Sequence, residues 1–123
     1  MPLRSLLLAT TALLGLASAS APAQDAAAAG GMAFQQCADC HSTGNNDGVG
    51  PGLKGIYGRR AGSKPGFIYS PAMAKSTVVW DDTALDSFLA SPQKAQPGTT
   101  MGWPGEDDPK ARADLIAYLK TLK

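Results

Sequence analysis

Both cysteines and the only histidine of the chain stand within five residues: Cys37, Ala38, Asp39, Cys40 and His41. Three chemistries compete for a C-x-x-C-H pentapeptide. Two thiols spaced this way can add across the two vinyl groups of one haem. The histidine that follows then lies under the iron and supplies an axial nitrogen. A thioredoxin-like redox pair needs a βαβ setting, which the sequence does not offer. A structural zinc site takes four protein ligands, and Cys37, Cys40 and His41 are the only N/S candidates. In an exported protein the two thiols could also simply form a disulfide. Together with the leader and the loop-rich body described below, the motif points to covalent haem, with Cys37 and Cys40 as attachment points and His41 as iron ligand.

Iron held by one histidine has an open second face. The methionines beyond the leader are Met32, Met73 and Met101. Met32 lies five residues before Cys37 on the same expected helix, so it cannot cross to the other face. Met73 sits in "YSPAMAK" and Met101 in "PGTTMGW". A methionine is most often core filler. Met101 has the better setting, because Pro97 and Gly98 make a turn that can aim the chain. Sixty residues also separate it from His41, enough to wrap a haem. Met101 is therefore the expected sixth ligand, and Met73 its rival.

The elements that must position these groups can be read around them. The 123 residues suit one small domain. The opening "MPLRSLLLATTALLGLASASAPA" has Arg4, then an apolar run from Leu6 to Leu16, then small residues, the order of a secretory signal peptide. The run is too short to span a bilayer, which takes ~20 residues. Cleavage could follow Ala19, Ala21 or Ala23. Ala23 is favoured, giving a leader over 1–23 and a mature domain over 24–123 in a bacterial periplasm. "QDAAAAGG" reads as a frayed lead-in. A first helix is expected from about Ala27 to Gln36, running straight into the motif. Residues 44–72 are dense in Gly and Pro and without periodicity. So long a loop cannot build its own core, which hints at a large non-protein component. "DDTALDSFLASP" reads as a helix capped by Asp81 or Asp82, with Leu85, Phe88 and Leu89 on one face. "QKAQPGTTMGWPGEDD" reads as loop. The last helix starts with Asp108 as N-cap and Pro109 at its first position, with Leu115, Ile116, Leu119 and Leu122 as its apolar stripe. "STVVW" is the one strand candidate. The fold class is all-α with long loops.

Charge excludes a partner class. Eleven Lys and Arg face ten Asp and Glu, and loss of Arg4 with the leader makes the two signs equal. No basic field exists to hold nucleic acid. Locally, Lys54, Arg59, Arg60 and Lys64 share one segment, and Glu106, Asp107 and Asp108 form an acidic run.

The pieces "CADCH", "GVGPGLKGIYGRRAG", "PGFIYSPAM", "VVW", "SPQKAQPGTTM" and "DLIAYLK" resemble class I cytochromes c, close to the mitochondrial and bacterial short-loop members. The resemblance covers nearly all of Gly30 to Leu122. It implies a few helices and long loops wrapped around one covalent haem c. It implies that Gly30 and Phe34 cross Tyr118 and Leu115, and that the Pro51 carbonyl receives the His41 ring N–H. Arg59, Tyr69, Ser70, Trp80 and Thr99 match positions that hold the haem propionates. Leu53, Leu89 and Leu119 match crevice positions. The sequence also departs from the pattern. Phe88, beside the ligand methionine, replaces a tyrosine common in relatives, and Met73 replaces an asparagine. Trp103 replaces a phenylalanine at the haem edge, and Thr100 and Gln93 replace docking lysines, while Lys75 and Lys94 remain. The implied protein is a monomeric electron carrier, not an enzyme, serving redox partners such as an oxidase, reductase or dehydrogenase. Its exposed haem edge lies near Cys37, Lys94 and Trp103. The competing readings are a haem subunit held tightly by a periplasmic dehydrogenase and, in a different class, a small haem peroxidase or haem sensor.

Overall fold

The computed structural model describes residues 21–123. The expected leader lies outside the described residues except for its last three positions. Helix α1 spans Ala21–Ala33 and tightens into a 3₁₀ turn over Phe34–Gln36. The stretch read as a frayed lead-in is thus helical. Alanine has the highest intrinsic helix propensity, and low complexity does not oppose it.

Helix α5, Pro109–Leu119, crosses α1. Asp108 caps it, its carboxylate accepting the Lys110 N–H at 2.9 Å, and Pro109 fills the first position. The crossing is close because of Gly30. A Cβ on Gly30 would overlap the Asp114 carbonyl oxygen. The Phe34 and Tyr118 rings meet one turn on, 5.2 Å between centroids, and Leu115 is 1% exposed beside them.

Helix α2, Pro71–Ala74, is capped by the Ser70 hydroxyl, which accepts the Met73 N–H at 3.1 Å. Helix α3, Asp82–Ala90, is capped by Asp81, which accepts the Ala84 N–H at 2.8 Å. Its Leu85, Phe88 and Leu89 are buried. Helix α4, Pro92–Ala95, follows at once. Helices α2 and α4 fall in stretches whose sequence reads as loop, since four residues carry no readable period.

Among the described residues no strand forms. "STVVW" makes a single bridge, Arg60 with Val79. Gly58 and Gly62 flank its partner segment in the left-handed region, at φ 82° and 67°. Such a backbone cannot extend a ladder. The long irregular segment is instead fastened bond by bond: Gly55 N–H to Leu122 O at 2.6 Å, Gly58 N–H to Trp80 O at 2.8 Å, Ala61 N–H to Val78 O at 2.8 Å. The apolar faces of the helices and loops converge on a cavity.

Candidate cofactor site

The cavity has a volume of about 240 Å³. A single water needs roughly 10–15 Å³ by that measure, so the space is built for something much larger. The 3₁₀ turn after α1 delivers the motif to it. Cys37 N–H bonds Phe34 O at 2.7 Å, and His41 N–H bonds Cys37 O at 2.9 Å. These bonds hold the pentapeptide in one coil. Cys37, Cys40 and His41 all line the cavity, and the two thiols are not joined to each other. Burial, and then the neighbouring Cys40, push the Cys37 thiol above its ordinary pKa. A redox-active pair of the thioredoxin kind needs the opposite shift.

His41 Nδ1 lies 2.8 Å from the Pro51 carbonyl oxygen. A carbonyl can only accept, so Nδ1 is the donor, and in the neutral ring this leaves Nε2 with the lone pair that a metal ligand requires. Gly50 makes room for this ring, because a Cβ there would overlap it.

Met101 lines the same cavity. Its backbone is held by Gln93, whose Nε2 donates to Met101 O at 3.0 Å and to Thr99 O at 3.1 Å. Met73 also lines the cavity from α2 and is 8% exposed.

The other residues expected to bind the cofactor also line this cavity. Pro51, Leu53, Phe88, Leu89 and Leu119 belong to its wall. So do Arg59, Tyr69, Ser70, Trp80 and Thr99. Phe88 meets the Trp80 indole edge-on at 4.9 Å. Trp103 stands at the rim, where its Nε1 donates to Gln36 Oε1 at 3.3 Å. Lys94, expected near that edge, is exposed and outside the lining.

The polar groups test whether haem suits the space. Arg59 Nη1 donates to Lys54 O at 3.1 Å, but its Nη2 is buried without a partner. A buried guanidinium nitrogen left unpaired is costly and calls for an acidic acceptor. The Tyr69 hydroxyl accepts from Lys64 N–H, and the Ser70 hydroxyl from Met73 N–H, so both keep a proton to donate. Carboxylates on an otherwise apolar group fit this set, and haem carries them.

The sequence reading missed Ile56, Phe67 and Leu85 in the lining. Ile56 and Phe67 are single apolar residues in a segment without periodicity and give no signal, whereas Leu85 is legible only as part of the apolar face of α3. It also missed the need for glycine at position 50, although the glycine density of "GVGPG" was available as a cue.

The sequence profile described as cytochrome c matches residues 27–123. Cytochrome c2 of Rhodopila globiformis is 51% identical over 89 residues, covering 71% of this chain and 83% of its own. Cytochrome c2 of Rhodomicrobium vannielii is 44% identical over 106 residues, covering 85% of each chain. Among solved structures, cytochrome cH from Methylobacterium extorquens is 49% identical with a TM-score of 0.75, over 77% of this chain and 97% of that one.

Proposed function

Because the chain belongs to the cytochrome c family, we propose that it is a periplasmic one-electron carrier in which His41 and Met101 hold the haem iron from its two sides. The coarser part follows from the family itself. The protein is an electron-transfer protein with one covalent haem c, and Cys37 and Cys40 supply the C-x-x-C-H thiols. When bound, the haem supplies an iron that alternates between ferric and ferrous.

The observation that carries the ligand assignment is the His41–Pro51 bond, with Met101 in the same cavity wall. The bond fixes the tautomer and the ring orientation, and it raises the basicity of Nε2. Methionine as the second ligand favours ferrous iron and raises the potential. Filling both positions leaves no vacant site for a substrate. Leu53, Leu89 and Leu119 keep water from the cofactor, which lowers the reorganisation that follows a change of charge. Arg59, Tyr69 and Ser70 offer donors to the propionates.

The leader, read as residues 1–23, supports export. Among the described residues no helix is long and apolar enough to cross a membrane. The protein is proposed to work as a monomer between a periplasmic donor and an acceptor such as an oxidase, reductase or dehydrogenase. The test of attachment is acid–acetone extraction of the denatured holoprotein. The haem should stay with the chain, and Cys37→Ala or Cys40→Ala should sharply lower the holoprotein yield. Free extraction of haem from wild type would refute the thioether assignment.

A further inference from the structure

One ion pair is more sheltered than its neighbours and touches the backbone that holds His41. Lys64 Nζ lies 2.8 Å from Asp47 Oδ1, with the lysine side chain 11% exposed and the aspartate 28%. The same oxygen accepts the Gly52 N–H at 2.8 Å. Gly52 is buried, and a Cβ there would press on the backbone of Asn45 and Asn46. The three residues 50–52 are therefore gripped at three points. Gly50 N–H donates to Cys40 O at 2.9 Å, Pro51 O accepts from His41 Nδ1, and Gly52 N–H is held by Asp47. The first grip comes from the motif's own backbone. The second is the imidazole's own bond, and the third is set by a side chain other than the imidazole.

Lys64 comes from a different segment of the chain. Its backbone N–H donates to the Tyr69 hydroxyl at 3.3 Å, and Tyr69 is in the lining. The pair thus joins the loop that orients the imidazole to the segment that carries Tyr69. Asp47 has no place in the cavity wall, so a direct role toward the cofactor is closed to it.

We propose that Asp47, steadied by Lys64, is a positioning residue for the His41 imidazole, acting through Gly52 N–H and the Pro51 carbonyl. This rests on the reading of His41 as iron ligand. Asp47 holds the carbonyl on Nδ1–H and so keeps the imidazole basic. Loosening Asp47 lets the carbonyl drift, weakens that bond and makes the nitrogen a poorer donor to ferric iron.

The test compares holoproteins of equal charge. Asp47→Asn and Asp47→Ala remove the same charge, but only asparagine can still accept from Gly52. The readouts are solvent exchange of the His41 Nδ1 proton in the ferrous protein, followed by proton–nitrogen NMR, and the reduction potential. Exchange should be at least tenfold faster in Asp47→Ala than in wild type. It should be only a few-fold faster in Asp47→Asn and in Lys64→Gln. The potential of Asp47→Ala should lie above that of Asp47→Asn. Asp47→Lys combined with Lys64→Asp restores an ion pair but not the acceptor, so fast exchange should persist. Equal exchange in Asp47→Ala and Asp47→Asn, or rescue by the charge swap, would overturn the proposal. Should Asp47→Ala fail to load haem, wild-type exchange in both Asp47→Asn and Lys64→Gln would overturn it as well. Failure of the ligand reading is distinguishable, because wild type itself would then lack a low-spin spectrum and a protected Nδ1 proton.

Discussion

At the residue scale, two methionines line one cavity, and proximity does not separate them. Their settings do. The backbone of Met73 is committed to α2, its N–H to the Ser70 cap and its carbonyl to Ser76 N–H at 3.1 Å. Met101 lies in irregular chain steadied from outside by Gln93. Met101→Ala should therefore abolish the weak near-red band of sulfur ligation, lower the reduction potential, open the iron to cyanide and confer peroxide reactivity. Met73→Leu should leave the band intact. The opposite pattern would keep the fold and move the ligand, whereas a wild type already high-spin and peroxide-active would make the carrier reading untenable. Phe88 qualifies the comparison with tyrosine-bearing relatives, since it packs on Trp80 and has no hydroxyl to offer the sulfur.

The same scale sets an acid limit. Lys64 first, then the Gly52 N–H, hold the Asp47 carboxyl below its ordinary value of 3.8, and Arg59 adds a weaker attraction. A lowered folded-state value means that the unfolded chain binds the proton more readily. The stabilisation is then fully present above the ordinary value and is lost as pH falls through the lowered one. Asp47→Asn should flatten the acid end of the stability curve below about pH 4, measured by denaturant unfolding at stepped pH, and leave its slope near neutrality unchanged.

At the element scale, α1 and α5 are joined by a contact that opposes local propensity. Alanine in a helix interior is favoured over glycine by about 1 kcal/mol. At position 30 the added methyl would meet the Asp114 carbonyl and the Tyr118 Cβ, both part of α5 rather than mobile side-chain ends. Gly30→Ala should thus destabilise by roughly 1–3 kcal/mol, the usual range for overpacking. Asp108→Ala, which only removes a cap, should cost about 1 kcal/mol. Both are readable from chemical unfolding followed at 222 nm, and a Gly30→Ala variant as stable as wild type would show that the helices can part freely. The elements that were legible in the sequence, α3 and α5, each combine a capping aspartate with three buried apolar residues at helical spacing. Helix α1 was read too short because its alanines carry propensity without pattern. The helices α2 and α4 were missed because each is a single turn, fixed by Ser70 or by packing rather than by its own sequence.

At the scale of the whole molecule, the site was more legible than the backbone that encloses it. Cys37, Cys40 and His41 announce their chemistry by type and spacing. The wall they face could be named only through resemblance, because its members come from five separated stretches with no period in common. The Asp47–Lys64 clasp was illegible, since nothing local to either residue requires the other. Charge at this scale governs how partners are met. One stretch of the rim, at Gln36, Val49, Thr100, Gly102 and Trp103, carries no charge, with Val49 80% exposed, and Arg60 is the exposed charge in the same lining. Elsewhere, several charges are already matched: Lys64 with Asp47, Lys110 with Asp114, Arg112 with Asp86, Lys120 with Asp82. Lys75 and Lys94 are exposed. Steering needs an unbalanced field, and it raises association rates by 10–10³ where one exists. Raising ionic strength from 0.01 to 0.15 M shortens the screening length from about 30 Å to about 8 Å and removes most of that gain. For this protein the bimolecular rate of electron transfer to a native partner, measured by stopped flow across that range, should fall by less than about threefold. A steeper fall would mean that Lys75, Lys94 and the basic segment from Lys54 to Lys64 act as one patch, and Lys94→Gln should then lower the rate at low salt alone. A flat profile would place recognition on the uncharged stretch of the rim, where Val49→Asp should slow transfer at every ionic strength by leaving a charge facing an apolar surface.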